Sequence, residues 1–248
     1  MTGAPRGRAS ALLEARDVGR RVAPARSGKE RWLLRGVSIA VQSGERVAIV
    51  GPTGAGKTVL LRALALLDPL DEGQVLWAGD PVPDEMVPRF RRQAIYLHQR
   101  PALAEGSVEA NLRRPLGFGV AHGGYDPART RQALTALGRD DSFLAKLTAD
   151  LSGGEAQIVA FLRAIQLDPQ VLLLDEPTAA LDGEAASAIE RLVEGWFSER
   201  AGERALVWVS HDHEQARRMA GRVMGLSAGR VAHVGGLEPD GPVTGQGA

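Results

Sequence analysis

The sequence predicts an α/β fold: a core of parallel strands, antiparallel strands on its N-terminal side, and a helical segment inserted between two core strands. Three observations predict it. Short, continuously apolar runs recur at Val47-Ala48-Ile49-Val50, Val171-Leu172-Leu173-Leu174 and Ala205-Leu206-Val207-Trp208-Val209, the pattern of strands buried on both faces. A glycine-rich loop at 51–58 joins the first of these to a run of helix formers at 59–67. Between about residues 100 and 170 the pattern turns mainly helical before apolar strands return.

Taken in order, residues 1–9 read as unstructured and 12–18 as an edge strand, with a loop at 23–30. Trp32-Leu33-Leu34 and residues 37–41 are strand material, and Ser43-Gly44-Glu45 turns into the strand at 47–50. Asp71-Glu72-Gly73 is a turn and 74–77 a strand, after which Pro81, Pro83 and Pro88 break the chain. Residues 94–97 form a short strand ending at His98-Gln99. Asp126-Pro127 and Asp140-Asp141-Ser142 read as helix starts, and 184–197 as a helix. The folded body is expected to span 10–235, with a helical subdomain at about 100–168. The Gly/Pro-rich stretch from Gly235 through the tail at 236–248 reads as disordered.

Composition narrows the function classes. Lys+Arg and Asp+Glu balance at 30 each, so no global field argues for nucleic acid as a partner. The absence of cysteine excludes disulfides, thiolate metal sites and cysteine catalysis, and fits a reducing compartment. No apolar run approaches the roughly 18–20 residues that span a bilayer. Residues 1–8 carry charge without a following apolar stretch and do not read as a signal peptide.

The loop Gly51-Pro52-Thr53-Gly54-Ala55-Gly56-Lys57-Thr58 fits the phosphate-binding pattern G-x-x-x-x-G-K-[ST], with a strand before it and a helix starting at Val59. That context makes the core a P-loop NTPase core. Gly51, Gly54 and Gly56 permit a backbone that turns its N–H groups toward a polyphosphate at the positive end of the helix. Lys57 can reach the β- and γ-phosphates, and Thr58 can offer a hydroxyl to Mg²⁺. Lys57 is one of only three lysines among 30 basic residues, so a compact ammonium here departs from the chain's habit of using arginine.

Asp175 and Glu176 end the strand at 171–174, where open α/β sheets place their chemistry. Asp175 is expected to face the Thr58-bound cation, and Glu176 to orient and deprotonate the attacking water. His211 ends the strand at 205–209 and can donate to a γ-phosphate oxygen. His98, His122, His213 and His233 lack such placement and read as surface or packing residues. Leu151-Ser152-Gly153-Gly154-Glu155 opens another helix, with Ser152 as its cap, and offers a second anion site at a helix end.

The order of these pieces, with Gln99, Ala180-Leu181-Asp182 and Ser210-His211-Asp212 between and after them, resembles the nucleotide-binding subunit of an ABC transporter over residues 12–234. The resemblance implies a head-to-tail homodimer, ATP and Mg²⁺ as ligands, and a peripheral position at the cytoplasmic face of the inner membrane on integral permease subunits. It implies that ATP held by residues 51–59 of one protomer is covered by Ser152, Gly153 and Gly154 of the other. Asp182 would lie at the seam, and Gln99 would touch Mg²⁺ or the attacking water and report on the permease, with residues 99–112 as the docking surface. Within the family the chain looks most like the ATPase of bacterial iron-export (Fet-type) systems. Phosphate-type or other importers, and soluble ATPases such as iron–sulfur assembly factors, are the alternatives. The short C-terminus argues against importers with a regulatory domain after the ATPase.

Three positions depart from the family pattern. Val22 stands where an aromatic residue usually stacks on adenine, with Trp32 as a possible substitute. Ile158 replaces an arginine of the signature helix, and Glu155 replaces its commoner glutamine.

Overall fold

The computed structural model describes residues 10–22, 31–117 and 124–236. The expectations for residues 1–9, for the loop at 23–30, for His122 and for the tail beyond 236 lie outside them. Two sheets carry the chain, and the predicted α/β architecture is present in both parts.

The first sheet is antiparallel, in the order β2 (Arg31–Val41), β1 (Leu13–Val22), β4 (Glu72–Trp77), β5 (Asp80–Pro81). β1 is therefore central, not the edge strand expected, because it pairs with β2 on one side and β4 on the other. Leu13, Ala15 and Val18 are buried while Arg16, Asp17 and Val22 are exposed, which reports one buried face and says nothing about backbone pairing.

The second sheet has the order β10 (Arg230–Gly236), β9 (Arg222–Ser227), β3 (Arg46–Val50), β8 (Ala205–Val209), β7 (Val171–Asp175), β6 (Ala94–Leu97). All neighbours are parallel except β10 on β9. Its residues alternate between two cores. Val171, Leu173, Val207 and Val209 face the layer that holds α1 (Lys57–Leu64) and the antiparallel sheet. Leu172, Leu174, Leu206 and Trp208 face the helices α6 (Gly153–Ile165) and α7 (Gly183–Glu199). Burial on both faces is why these strands read as unbroken apolar runs.

The helices between β6 and β7 are α3 (Val108–Arg113), α4 (Pro127–Ala136), α5 (Ser142–Ala145) and α6. Asp126 caps α4 through Ala128 N (2.9 Å), and Asp140 accepts from Ser142 N (2.9 Å) at the start of α5. Pro88 does not break the chain but lies in the first turn of α2 (Val87–Gln93), where its missing N–H costs nothing. The helix after the glycine loop ends at Leu64, short of Leu67, with Leu66 in the left-handed region (φ 52°). Gly235 and Gly236 are not disordered: they close β10 against Val223 and Arg222.

Candidate nucleotide-binding site

β3, β8, β7 and β6 lie side by side and parallel, so the residues following their carboxyl ends gather along one edge of the sheet. In spatial order these are the glycine loop, His211, the Asp175–Glu176 pair and Gln99.

The loop's glycines have distinct reasons. Gly51, Gly54 and Gly56 have φ of 154°, 78° and 102°, angles that side chains disfavour. A Cβ on Gly51 would stand 2.1 Å from the Leu226 carbonyl oxygen, and one on Gly56 2.8 Å from that of Leu33. A Cβ on Gly54 would meet nothing within 4 Å, so that glycine faces open space at the loop's mouth. The Gly229 amide donates to Ala55 O (3.0 Å) and pins the loop to the β9–β10 turn. Pro52, Thr53 and Thr58 are exposed, and Val59 packs against the core. Lys57 is buried and donates to the carbonyls of Gly51 (2.8 Å) and Pro52 (3.2 Å), with Glu176 Oε1 3.6 Å away.

Asp175, 3% exposed, accepts through Oδ2 from the Tyr96 hydroxyl at 2.9 Å. Burial, and then the charge of Asp175, push the tyrosine's pKa up, so it stays a donor. Glu176 has a φ of 46°, unusual for a residue with a side chain and typical of functional loops. Its amide donates to Val209 O (3.2 Å), and its Oε2 lies 3.7 Å from His211 Nδ1. Gln99 is exposed beyond β6 on the same edge. Among the described residues, no side-chain hydrogen bond ties it to Glu176 or His211.

Two residues that sequence reasoning missed organise this cluster. Tyr96 is one; nothing in a four-residue apolar strand marks a hydroxyl aimed at a carboxylate. Gln215, on α8 (His213–Met219), is the other. It accepts from Ser210 Oγ (2.9 Å) and donates to Thr178 Oγ1 and Glu190 Oε1 (2.8 Å each). It thereby ties the loop after Glu176 to the residue before His211. Asp212 caps α8 by accepting from Glu214 N (2.8 Å) and Gln215 N (3.1 Å); the Asp-x-x-Gln spacing was the available signal.

Ser152, Gly153, Gly154 and Asp182 form a second group. They line a cavity of about 300 Å³ with Leu137, Arg139 and Ile158. Ser152 and Glu155 make a reciprocal cap at the start of α6, and Asp182 caps α7 through Ala185 N (2.8 Å). Glu176 and His211 line a different cavity, of about 340 Å³, with Thr178 and Gln215. Neither of these two cavities is lined by a residue of the Lys57 loop.

Val22 ends β1, 41% exposed, opposite Arg31. Trp32 is neither core nor a free stacking platform. Its edge covers Gly19, where a Cβ would stand 2.8 Å from the ring, and the Arg21 guanidinium lies 4.2 Å from its centroid. Ile158 is buried in the helical core. His98 bonds to Arg100 N, His213 is exposed at the start of α8, and His233 packs over Gly225.

The ABC transporter family profile matches residues 34–179, from β2 through the Asp175–Glu176 pair. The chain belongs to the ABC transporter family. This cassette is 40% identical to an Fe(3+) ions import ATP-binding protein of Rhodococcus jostii, over 82% of this chain and 58% of that one. It is 36% identical to a sulfate/thiosulfate import ATP-binding protein of Bordetella bronchiseptica, over 90% and 61%. With a phosphate import ATP-binding protein of Natronomonas pharaonis it shares 37%, over 83% and 75%. The cassette thus spans about three fifths of the iron- and sulfate-import relatives' length. A dimeric ATP-binding cassette in a post-hydrolysis state bound to ADP and phosphate superposes with a TM-score of 0.78 at 27% identity, over 92% of this chain and 100% of that chain. No helix among the described residues is long and apolar enough to cross a membrane.

Proposed function

We propose that this chain binds and hydrolyses ATP as the energy-supplying subunit of an ABC importer, acting as a homodimer on separate membrane permease subunits at the cytoplasmic face. One observation carries the reading: Ser152, Gly153 and Gly154 line one cavity, while Glu176, which lies 3.6 Å from Lys57, lines another with His211. A head-to-tail pair would set Ser152, Gly153 and Gly154 of each protomer over the Lys57 loop of its partner, with Asp182 at the seam. The dimeric state named for the superposed cassette supports this.

In this reading Lys57 leaves the Gly51 and Pro52 carbonyls to hold the β- and γ-phosphates, and residues 51–59 cradle the chain of phosphates. Thr58, Asp175 and Gln99 offer oxygen ligands only, a set that fits a hard divalent cation. Mg²⁺, when bound there, neutralises charge on the transferring phosphoryl group. Glu176 orients a water and accepts its proton, and His211 donates to a γ-phosphate oxygen. Adenine would rest on the aliphatic Val22 rather than on an aromatic ring.

The relatives are named for import of iron(III), sulfate and phosphate, which favours an importer of a small inorganic ion over iron export. Those names also favour transport over iron–sulfur assembly. The test is Mg²⁺-dependent ATP hydrolysis by the purified chain, lost in Lys57→Ala, with recovery of its tagged form from native membranes. Co-purification of a multi-span membrane protein supports transport. A soluble scaffold in its place, or no hydrolysis, overturns the reading.

A further inference from the structure

We infer that Lys146 and Arg139 are positioning residues for the phosphate-facing end of α6: they neutralise Glu155, so that the helix start and Ser152 present a positive site to a nucleotide held by the partner protomer. The inference rests on the homodimer reading above.

Glu155 stands in the first turn of α6, one residue after Gly154, and is 8% exposed. Its Oε2 accepts from Lys146 Nζ (2.7 Å) and from the Ser152 amide (2.9 Å), and its Oε1 from Arg139 Nη1 (3.2 Å). Lys146 comes from the end of α5 and Arg139 from the segment after α4, so three segments converge on one carboxylate.

The electrostatic consequence is direct. A helix start carries about half a positive elementary charge, and a carboxylate in the first turn more than offsets it. Glutamine at this place would leave the helix charge intact; glutamate alone would make the site repel a triphosphate. Within the Glu155 cluster, one carboxylate against two cations leaves a net positive charge; Asp182, Glu184 and Arg191 complete the cavity's charged lining. The Ser152 hydroxyl oxygen already accepts from Glu155 N (3.2 Å), which leaves its single O–H free to donate outward. Arg139 lines the same cavity as Ser152, Gly153 and Gly154. Lys146 is one of only three lysines in the chain.

The test uses the full chain with Glu176→Gln, titrated with ATP and Mg²⁺ while dimerisation is followed by light scattering. Adding Lys146→Met should raise the ATP concentration at the midpoint by roughly tenfold, the worth of one charge-assisted hydrogen bond. Adding Glu155→Gln to that variant should bring the midpoint back to within about threefold of the starting chain. Nucleotide binding to the monomer, measured with a fluorescent ATP analogue, should not move, because the Lys57 loop is untouched. A merely structural role would lower melting temperature without this rescue. A midpoint unmoved by Lys146→Met, or one that Glu155→Gln fails to restore, overturns the inference. If Lys146→Met alone does not fold, the chain carrying both changes must still dimerise at the starting midpoint. Failure of the starting chain to dimerise removes the homodimer reading, and this inference with it.

Discussion

Lys57 Nζ lies 3.6 Å from Glu176 Oε1 while its hydrogen bonds go to the carbonyls of Gly51 and Pro52. The residue that would hold phosphate and the residue that would activate water are thus neighbours before any ligand arrives. A triphosphate offers Lys57 stronger, charge-assisted acceptors than the loop carbonyls. Glu176 would then be free to turn toward the attacking water.

Glu176→Gln keeps the side chain's shape and removes its basicity. It is expected to bind ATP with near wild-type affinity and to lose turnover by at least about a hundredfold, the usual contribution of a general base. The expected product is a long-lived ATP-bound dimer. Phosphate release and size-exclusion chromatography check the two halves. Wild-type hydrolysis in this variant would contradict the role.

Gly51→Ala and Gly54→Ala separate close approach from backbone angle. Both positions have positive φ, which disfavours alanine. Only Gly51 also faces a carbonyl, 2.1 Å from the added methyl. Gly51→Ala should therefore melt lower than Gly54→Ala and lose ATP binding. Paired melting curves with and without ATP decide it.

Arg204 anchors the side of the molecule built by the ends of α7 and the start of β8. Its guanidinium is 2% exposed and bonds to Trp196 O, Glu199 (3.0 Å) and Asp168 (2.8 Å). Asp168 and Glu199 are themselves 33% and 54% exposed, so they can rehydrate when the cation is removed. Arg204→Leu should then cost about 2 kcal/mol, below the 3–5 kcal/mol of a fully buried pair. For a chain of this size that is a fall of roughly 4–8 °C in Tm, with ATP affinity unchanged.

Acid titration should report on Glu155. Burial pushes its carboxyl up, but Lys146, the Ser152 amide and Arg139 outweigh that and hold it below the usual carboxylate range. A depressed folded pKa contributes stability that is fully present above the unfolded value of about 4.3 and is lost as pH falls through the folded value. Glu155→Gln should therefore melt below the wild type at pH 7, with the gap closing as pH drops below about 4. A gap that is constant with pH would contradict the assignment.

Much of the core was legible because burial on both faces leaves an apolar run, and because the glycine loop, Asp175–Glu176 and His211 all follow such runs. What stayed hidden depends on partners distant in sequence. The central place of β1 rests on backbone pairing with β2 and β4. The hydroxyl of Tyr96 on Asp175 spans 79 residues, and Gln215 reaches Thr178 across 37. Pro88 looked like a breaker because one residue cannot tell the start of a helix from its end. Trp32 is held by Gly19 and Arg21, a pocket that no local pattern in β2 reveals.

The central claim is that each nucleotide is shared between the loop of one protomer and the α6 start of its partner. The chain has no cysteine, and Thr53 and Ser152 are both exposed, so single-cysteine chains test it cleanly. Chains carrying Glu176→Gln with either Thr53→Cys or Ser152→Cys are mixed and treated with a short bifunctional thiol reagent, with and without ATP and Mg²⁺. The account predicts covalent dimers containing one chain of each kind, formed only with nucleotide. No cross-linked dimer, or an internal cross-link when one chain carries both cysteines, would contradict it.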